Sequence, residues 1–308
     1  MRGQPSSRST AIAAIMCAAL LVAGCEAQGS GTPPDSDAPQ AAIVEPQNNT
    51  LPMPQAPPKA PSAGFDGLDA RTRQAVADAA NAGADMSVVV LDRNTGQTVS
   101  VGSGSSFPIA SVVKLFIADE LLLRDSKGET TLSPTDRKTL DVMLRSSDDG
   151  AAQTFWDRLG GNAVIARVKA RYGLGGTAAP WNGHWDVTTS TASDLVRYYK
   201  MLLDGSGGLP AEQAAVIMGN LAQSTPTGID GYPQRFGIPE GLYAQPVAVK
   251  QGWFCCWNGG NQLHVSTGAI GPDRRYVMAM GSLDPTGAAA ARDRMTQAVK
   301  TMFPGGKI

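Results

Sequence analysis

From Leu68 onward the chain switches between two apolar patterns. In one, apolar residues return every three or four positions, which predicts helices over residues 68–82, 162–172, 191–203, 210–221 and 287–302. Gly83 and Gly173 stop the first two of these. In the other, short β-branched runs predict strands over residues 86–91, 97–101, 246–253, 262–270 and 276–282. The turn Asp92-Arg-Asn-Thr-Gly96 makes a hairpin of the first two strands. Ser133-Pro134-Thr135-Asp136 has a hydroxyl cap, a proline at the first helical position and an acid three residues on, so a further helix runs from there to about Arg145.

One segment is apolar nearly all round. In Phe107-Pro-Ile-Ala-Ser111-Val-Val-Lys114-Leu-Phe-Ile117 and the residues to Leu123, almost every position is apolar, as in a helix enclosed by the fold. Ser111 and Lys114 stand three apart and would share one face of that helix. Lysine in such a setting must be paired or lose its proton, and a deprotonated lysine is the base that a serine nucleophile requires. Among the lysines, only Lys114 has a serine three residues before it.

Two strands, a helical middle and three more strands with flanking helices imply an α+β fold: one five-stranded antiparallel sheet beside an all-helical lobe. Residues 65–308 suit one such domain, with a cleft between the lobes.

Residues 1–64 are different. Arg2 and Arg8 precede an apolar stretch that ends Leu21-Val-Ala-Gly24-Cys25, which reads as an export signal over residues 1–24. Val-Ala-Gly-Cys resembles a bacterial lipobox, which implies cleavage before Cys25, loss of Cys17 and lipidation of Cys25. An ordinary secretory signal is the alternative. Residues 25–64 are rich in Pro, Ala and Ser and bury too little apolar surface to fold, so they read as a disordered tether. The expected location is the outer side of the cell membrane, held there by lipid. A net charge of -1 argues against nucleic acid as a partner, and two His and four Cys show neither a metal cluster nor a disulfide framework, so no metal or cofactor is expected.

Ser111-Val-Val-Lys114 resembles the Ser-x-x-Lys of serine β-lactamases and penicillin-binding peptidases. Ser147-Asp148-Asp149 stands where that family has Ser-Asp-Asn, and Lys250-Gln251-Gly252 where it has Lys-Thr-Gly. The run from Arg235 to Leu242 is similar to the approach to the third motif in class A enzymes. The resemblance implies a β-lactamase/transpeptidase-like fold. Ser111, Lys114 and Ser147 would be catalytic; Asp149, Lys250, Gln251 and Gly252 would bind substrate, a β-lactam or a D-amino-acid peptide of the peptidoglycan kind. The oxyanion hole would use backbone N–H groups at Ser111 and near Trp253 or Phe254.

Three departures bear on activity. Asp149 replaces an amide donor with an acceptor, or pairs with Lys114 and keeps it charged. Gln251 replaces a hydroxyl with a bulkier group. The loop over residues 173–185 lacks the glutamate that drives deacylation in class A enzymes, and Asp186 is the nearest carboxylate. Efficient β-lactam hydrolysis is therefore not expected. The short interval between Ser111 and Ser147 implies a reduced helical lobe. Cys255 and Cys256 form a vicinal disulfide or stay as thiols, His184 and His264 read as structural, and Trp253, Phe254 and Trp257 pack or line a cleft. Three readings stand: a slowly deacylating serine hydrolase, an inactive binder of a cell-wall ligand or protein, and a scaffold lipoprotein. The four intact Ser and Lys groups favour the first.

Overall fold

The computed structural model describes residues 65–308 apart from Ser103. The expected signal segment, Cys25 and the tether lie outside the described residues. In chain order the regular elements are α1 (Leu68–Asn81), β1 (Asp85–Asp92), β2 (Thr98–Val101), β3 (Phe107–Pro108), α2 (Lys114–Ser126), α3 (Pro134–Arg145), α4 (Asp149–Arg158) and α5 (Ala163–Tyr172). They continue with β4 (Thr189–Ser190), α6 (Ala192–Asp204), α7 (Ala211–Leu221), α8 (Ile238–Gly241), β5 (Val247–Trp257), β6 (Asn261–Ile270), β7 (Tyr276–Asp284) and α9 (Ala288–Met302).

The expected five-stranded antiparallel sheet is present, ordered β2-β1-β7-β6-β5. Strands β1, β6 and β7 are buried along most of their length, so both faces are covered and their sequences are apolar runs rather than alternations. On one face α1, α8 and α9 enclose a core with Leu68, Val88, Met280, Met295 and Val299. On the other, α2 and α6 join the sheet to the helical lobe through Phe116, Leu121, Leu195 and Tyr198.

Several elements differ from expectation in instructive ways. Ser111 lies in a 3-10 turn, Ala110–Val113, and the α-helix proper begins at Lys114. Helix α4 was not expected; Asp148 caps it by accepting from the Ala151 N–H at 2.9 Å. Strand β5 continues through the paired cysteines to Trp257. Helix α3 keeps the predicted bounds, and both halves of its capping box form between Ser133 and Asp136.

Candidate active site

Burial and backbone contact place the nucleophile candidate. The 3-10 turn sits against β5 at Gly252, where an added Cβ would lie 2.5 Å from the Ile109 carbonyl oxygen and 3.3 Å from the Ser111 nitrogen. Only glycine permits that approach. The Ile109 N–H donates to the Thr188 carbonyl at 2.9 Å, which ties the turn to the loop beside β4.

Lys114 is completely buried. Its Nζ lies 2.8 Å from Ser111 Oγ, 2.6 Å from the Ser147 carbonyl, 3.2 Å from Ser147 Oγ and 2.5 Å from Asp149 Oδ1. An ammonium has three N–H bonds for these four oxygens, whereas a neutral amine has a lone pair that can accept the Ser111 hydroxyl. Burial pushes Lys114 below the usual lysine range, and Asp149 is the largest influence pulling it back up. The net direction is down because burial outweighs the pull of Asp149, whose side chain is 69% exposed.

Ser147 sits between α3 and α4 in the left-handed conformation, with φ 59°. That geometry places its hydroxyl between two lysines, since Lys250 Nζ also donates to Ser147 Oγ, at 2.9 Å. Lys250 makes a second bond to the Gln251 carbonyl at 3.0 Å and is buried. Burial first, and the positive charge of Lys114 second, hold Lys250 well below the usual lysine range.

Beside this array is a cavity of about 260 Å³ whose walls include Ser111, Asp149, Gln153, His184, Asp186 and Asp230. Trp185 and Trp253 also line it, and the Trp185 ring centroid is 4.9 Å from Lys114 Nζ. Ser111, Lys114, Ser147, Asp149 and Lys250 are thus brought together, and Gly252 meets the serine turn. Gln251 is elsewhere: its amide Nε2 donates to the carbonyls of Gln234 at 3.1 Å and Phe236 at 2.6 Å, away from the cavity wall. Cys255 and Cys256 are joined as a vicinal disulfide across a cis peptide bond, on the exposed outer part of β5. His264 is buried, with Nε2 2.6 Å from the Tyr232 hydroxyl, and burial lowers it to about 4. No group of residues able to hold a metal occurs among the described residues.

Gln153 and Asp230 were not anticipated, and His184 and Asp186 were not given a cavity role. His184 lies in the loop that carries Trp181 and Asp186 directly follows it, a proximity readable from sequence once the loop is placed. Gln153 and Asp230 carry no local signal; they arrive through α4 and the loop before α8.

This chain is similar to several known proteins. A model of the β-lactamase enzyme family matches residues 70–135. Proteins named "Putative lipoprotein LppW" from Mycobacterium bovis and Mycobacterium tuberculosis are each 56% identical, with full coverage of both chains. The chain belongs to the LppW family. Among solved structures, the TLA-3 extended-spectrum β-lactamase superposes with a TM-score of 0.63 at 15% identity, covering 76% of this chain and 98% of that one. The structure of PBP-A gives 0.63 at 20% identity, covering 80% and 96%. An acyl-enzyme complex of a PBP-A mutant with penicillin G gives 0.64 at 20%, covering 80% and 97%. These likenesses show that this chain has the β-lactamase fold with its α+β architecture. No helix among the described residues is long and apolar enough to cross a membrane.

Proposed function

We propose that this chain is an envelope lipoprotein, anchored by lipid on Cys25, whose 65–308 domain is acylated at Ser111 by β-lactams or D-amino-acid peptides and deacylates slowly. The observation that carries this reading is the Ser111–Lys114–Ser147–Lys250 array, with 2.8 Å between Ser111 Oγ and Lys114 Nζ and 2.9 Å between Lys250 Nζ and Ser147 Oγ.

In the acylation step, Ser111 Oγ forms a bond to the carbonyl carbon as its proton passes to neutral Lys114. The C–N bond then breaks while Ser147 delivers a proton to the leaving nitrogen, taking one from the lysines beside it. The lowered pKa of Lys114 suits it to the base role. Backbone N–H groups of Ser111 and of Trp253 or Phe254 would hold the oxyanion, and Lys250 with Gly252 would form the substrate edge. Deacylation needs a water-activating base. The loop before Trp185 supplies no acid, and of the cavity carboxylates Asp149, Asp186 and Asp230, Asp186 is the one next to that loop and would serve weakly.

A second reading rests on one contact. The 2.5 Å pair between Lys114 and Asp149 favours a charged lysine, and a domain locked in that state would bind a cell-wall ligand or partner without chemistry.

Intact-mass measurement after incubation with penicillin G separates the two. A stable adduct on the wild type that is absent from Ser111→Ala supports acylation with slow turnover. No adduct over hours, with Ser111→Ala indistinguishable from wild type, overturns the enzyme reading.

A further inference from the structure

On the side of β5 and β6 turned away from Ser111, side chains grip a strip of chain that the proposed chemistry does not use. Gln251 Nε2 donates to the carbonyls of Gln234 and Phe236 at 3.1 and 2.6 Å. Ser266, the register partner of Gln251 on β6, accepts from the Ile238 N–H at 3.1 Å. Gly237 passes so close that a Cβ there would meet the Ser266 Cβ at 2.8 Å. Where the strip reaches the cavity that Ser111 lines, Trp253 stacks on Tyr232, with centroids 4.9 Å apart and planes at 9°.

The other end of the strip is bonded to the helical lobe just ahead of Ser147. Gln234 Nε2 donates to the Arg145 carbonyl at 3.0 Å, the Thr225 N–H donates to the same carbonyl at 3.0 Å, and the Ile229 N–H donates to the Ser146 carbonyl at 2.7 Å. Gln234 is therefore the link: its carbonyl receives Gln251, and its own amide holds Arg145.

We infer that Gln251 is a positioning residue which, through Gln234 and the carbonyls of Arg145 and Ser146, holds Ser147 in the left-handed conformation that sets its hydroxyl between Lys114 and Lys250.

Three observations support the inference. A non-glycine residue at φ 59° persists only where its surroundings over-determine it, and residues 145 and 146 are bonded to the strip immediately before it. The side chain of Gln251 is buried, and its Oε1 has no partner among the described residues. An amide that leaves its acceptor unsatisfied is held by its donor end, and both nearby groups are carbonyls that can only accept. Finally, the hydroxyl that the resemblance puts at this position has a shorter reach than glutamine.

The test uses the full chain and hydrogen exchange of the Thr225 and Ile229 amides, so its outcome does not depend on acyl transfer. Gln251→Glu keeps the shape and removes the donor when ionised. Near pH 8 these two amides should exchange about tenfold faster than in wild type, the loss expected for one hydrogen bond, with β7 amides unchanged. Near pH 5 a neutral glutamic acid donates to one carbonyl, and the difference from wild type should shrink. The uncharged Gln251→Met keeps the bulk without a donor and should show the same loss at both pH values; a packing role alone predicts wild-type protection in that variant, and that result overturns the inference. If Gln251→Glu does not fold, Gln234→Ala decides: unchanged protection of Thr225 and Ile229 overturns it. Where wild type is acylated by penicillin G, the Gln251→Glu chain should show a slower maximal rate near pH 8 with the half-saturating concentration unchanged. Where it is not, the acyl-transfer reading fails and the exchange result still stands.

Discussion

Helix α2 contains buried charge at its start and again about one and a half turns later, and the two places are solved differently. At the start, Lys114 is fully buried but its ionic partner, Asp149, has a side chain 69% exposed to water. A second buried lysine, Lys250, shares Ser147 with it and repels it. Further along, Asp119 and Glu120 are also buried. They are met by cations from the same helix and from α5: Arg171 bonds Asp119, while Arg124 and Arg167 bond Glu120 at 2.9 and 2.5 Å. The hydroxyls of Tyr172 and Tyr198 also donate to Asp119. The second place is closed: every charge has an opposite within the fold. The first is left with two like charges and a screened counter-ion, so its protonation can change while the fold stays intact.

The closed end should fail most when broken. Asp119→Ala leaves Arg171 only the longer 3.6 Å ion pair to Glu120 and strips the buried Tyr172 and Tyr198 hydroxyls of their shared carboxylate, and is expected to destabilise by about 3–5 kcal/mol, read from the urea midpoint. A midpoint close to wild type would erase the distinction between the two ends. At the open end, Lys250 has its pKa lowered from 10.5, so between its folded value and 10.5 the unfolded chain holds a proton that the folded chain has lost. Stability contributed by this group therefore rises with pH across that window. Lys250→Met should be about as stable as wild type at neutral pH, or more so, and should gain less on going to about pH 10. Urea titrations at the two pH values would show this, and a steeper gain in the variant contradicts it. The smallest effect on folding should come from Asp149→Asn, within about 1 kcal/mol because the carboxylate is mostly exposed. Its effect on chemistry should be visible all the same. Without the main influence raising Lys114, the amine becomes neutral at lower pH, and the pH profile of adduct formation should move down. An unmoved profile would mean that Asp149 does not set the charge of Lys114.

How much of this was readable from sequence follows from how local each cause is. The start of α3 is encoded in four consecutive residues, and its bounds are as expected. Helix α4 uses the same chemistry at Asp148, but the Ser-Asp-Asp run draws the eye as a motif and hides the cap. The apolar pattern predicts the burial of α2, yet it cannot name the partners of Asp119, because Arg171 lies 52 residues away. Each of the three motif segments is visible, and their meeting is implied only by resemblance. The left-handed turn at Ser147 and the buried side chain of Gln251, turned away from the cavity, have no sequence mark, since both depend on a strip of chain that joins sheet and lobe.

The approach of Gly252 to the serine turn has a thermal consequence. A side chain that holds a neighbour in place can leave its rotamer as temperature rises, and what it holds then loosens. Here one main chain rests on another, with the Ile109 carbonyl and the Ser111 nitrogen against a residue that has no rotamers at all. Warming offers this contact no intermediate disorder. The position of Ser111 should persist until β5 itself leaves the sheet, so that loss of the site and loss of the fold coincide.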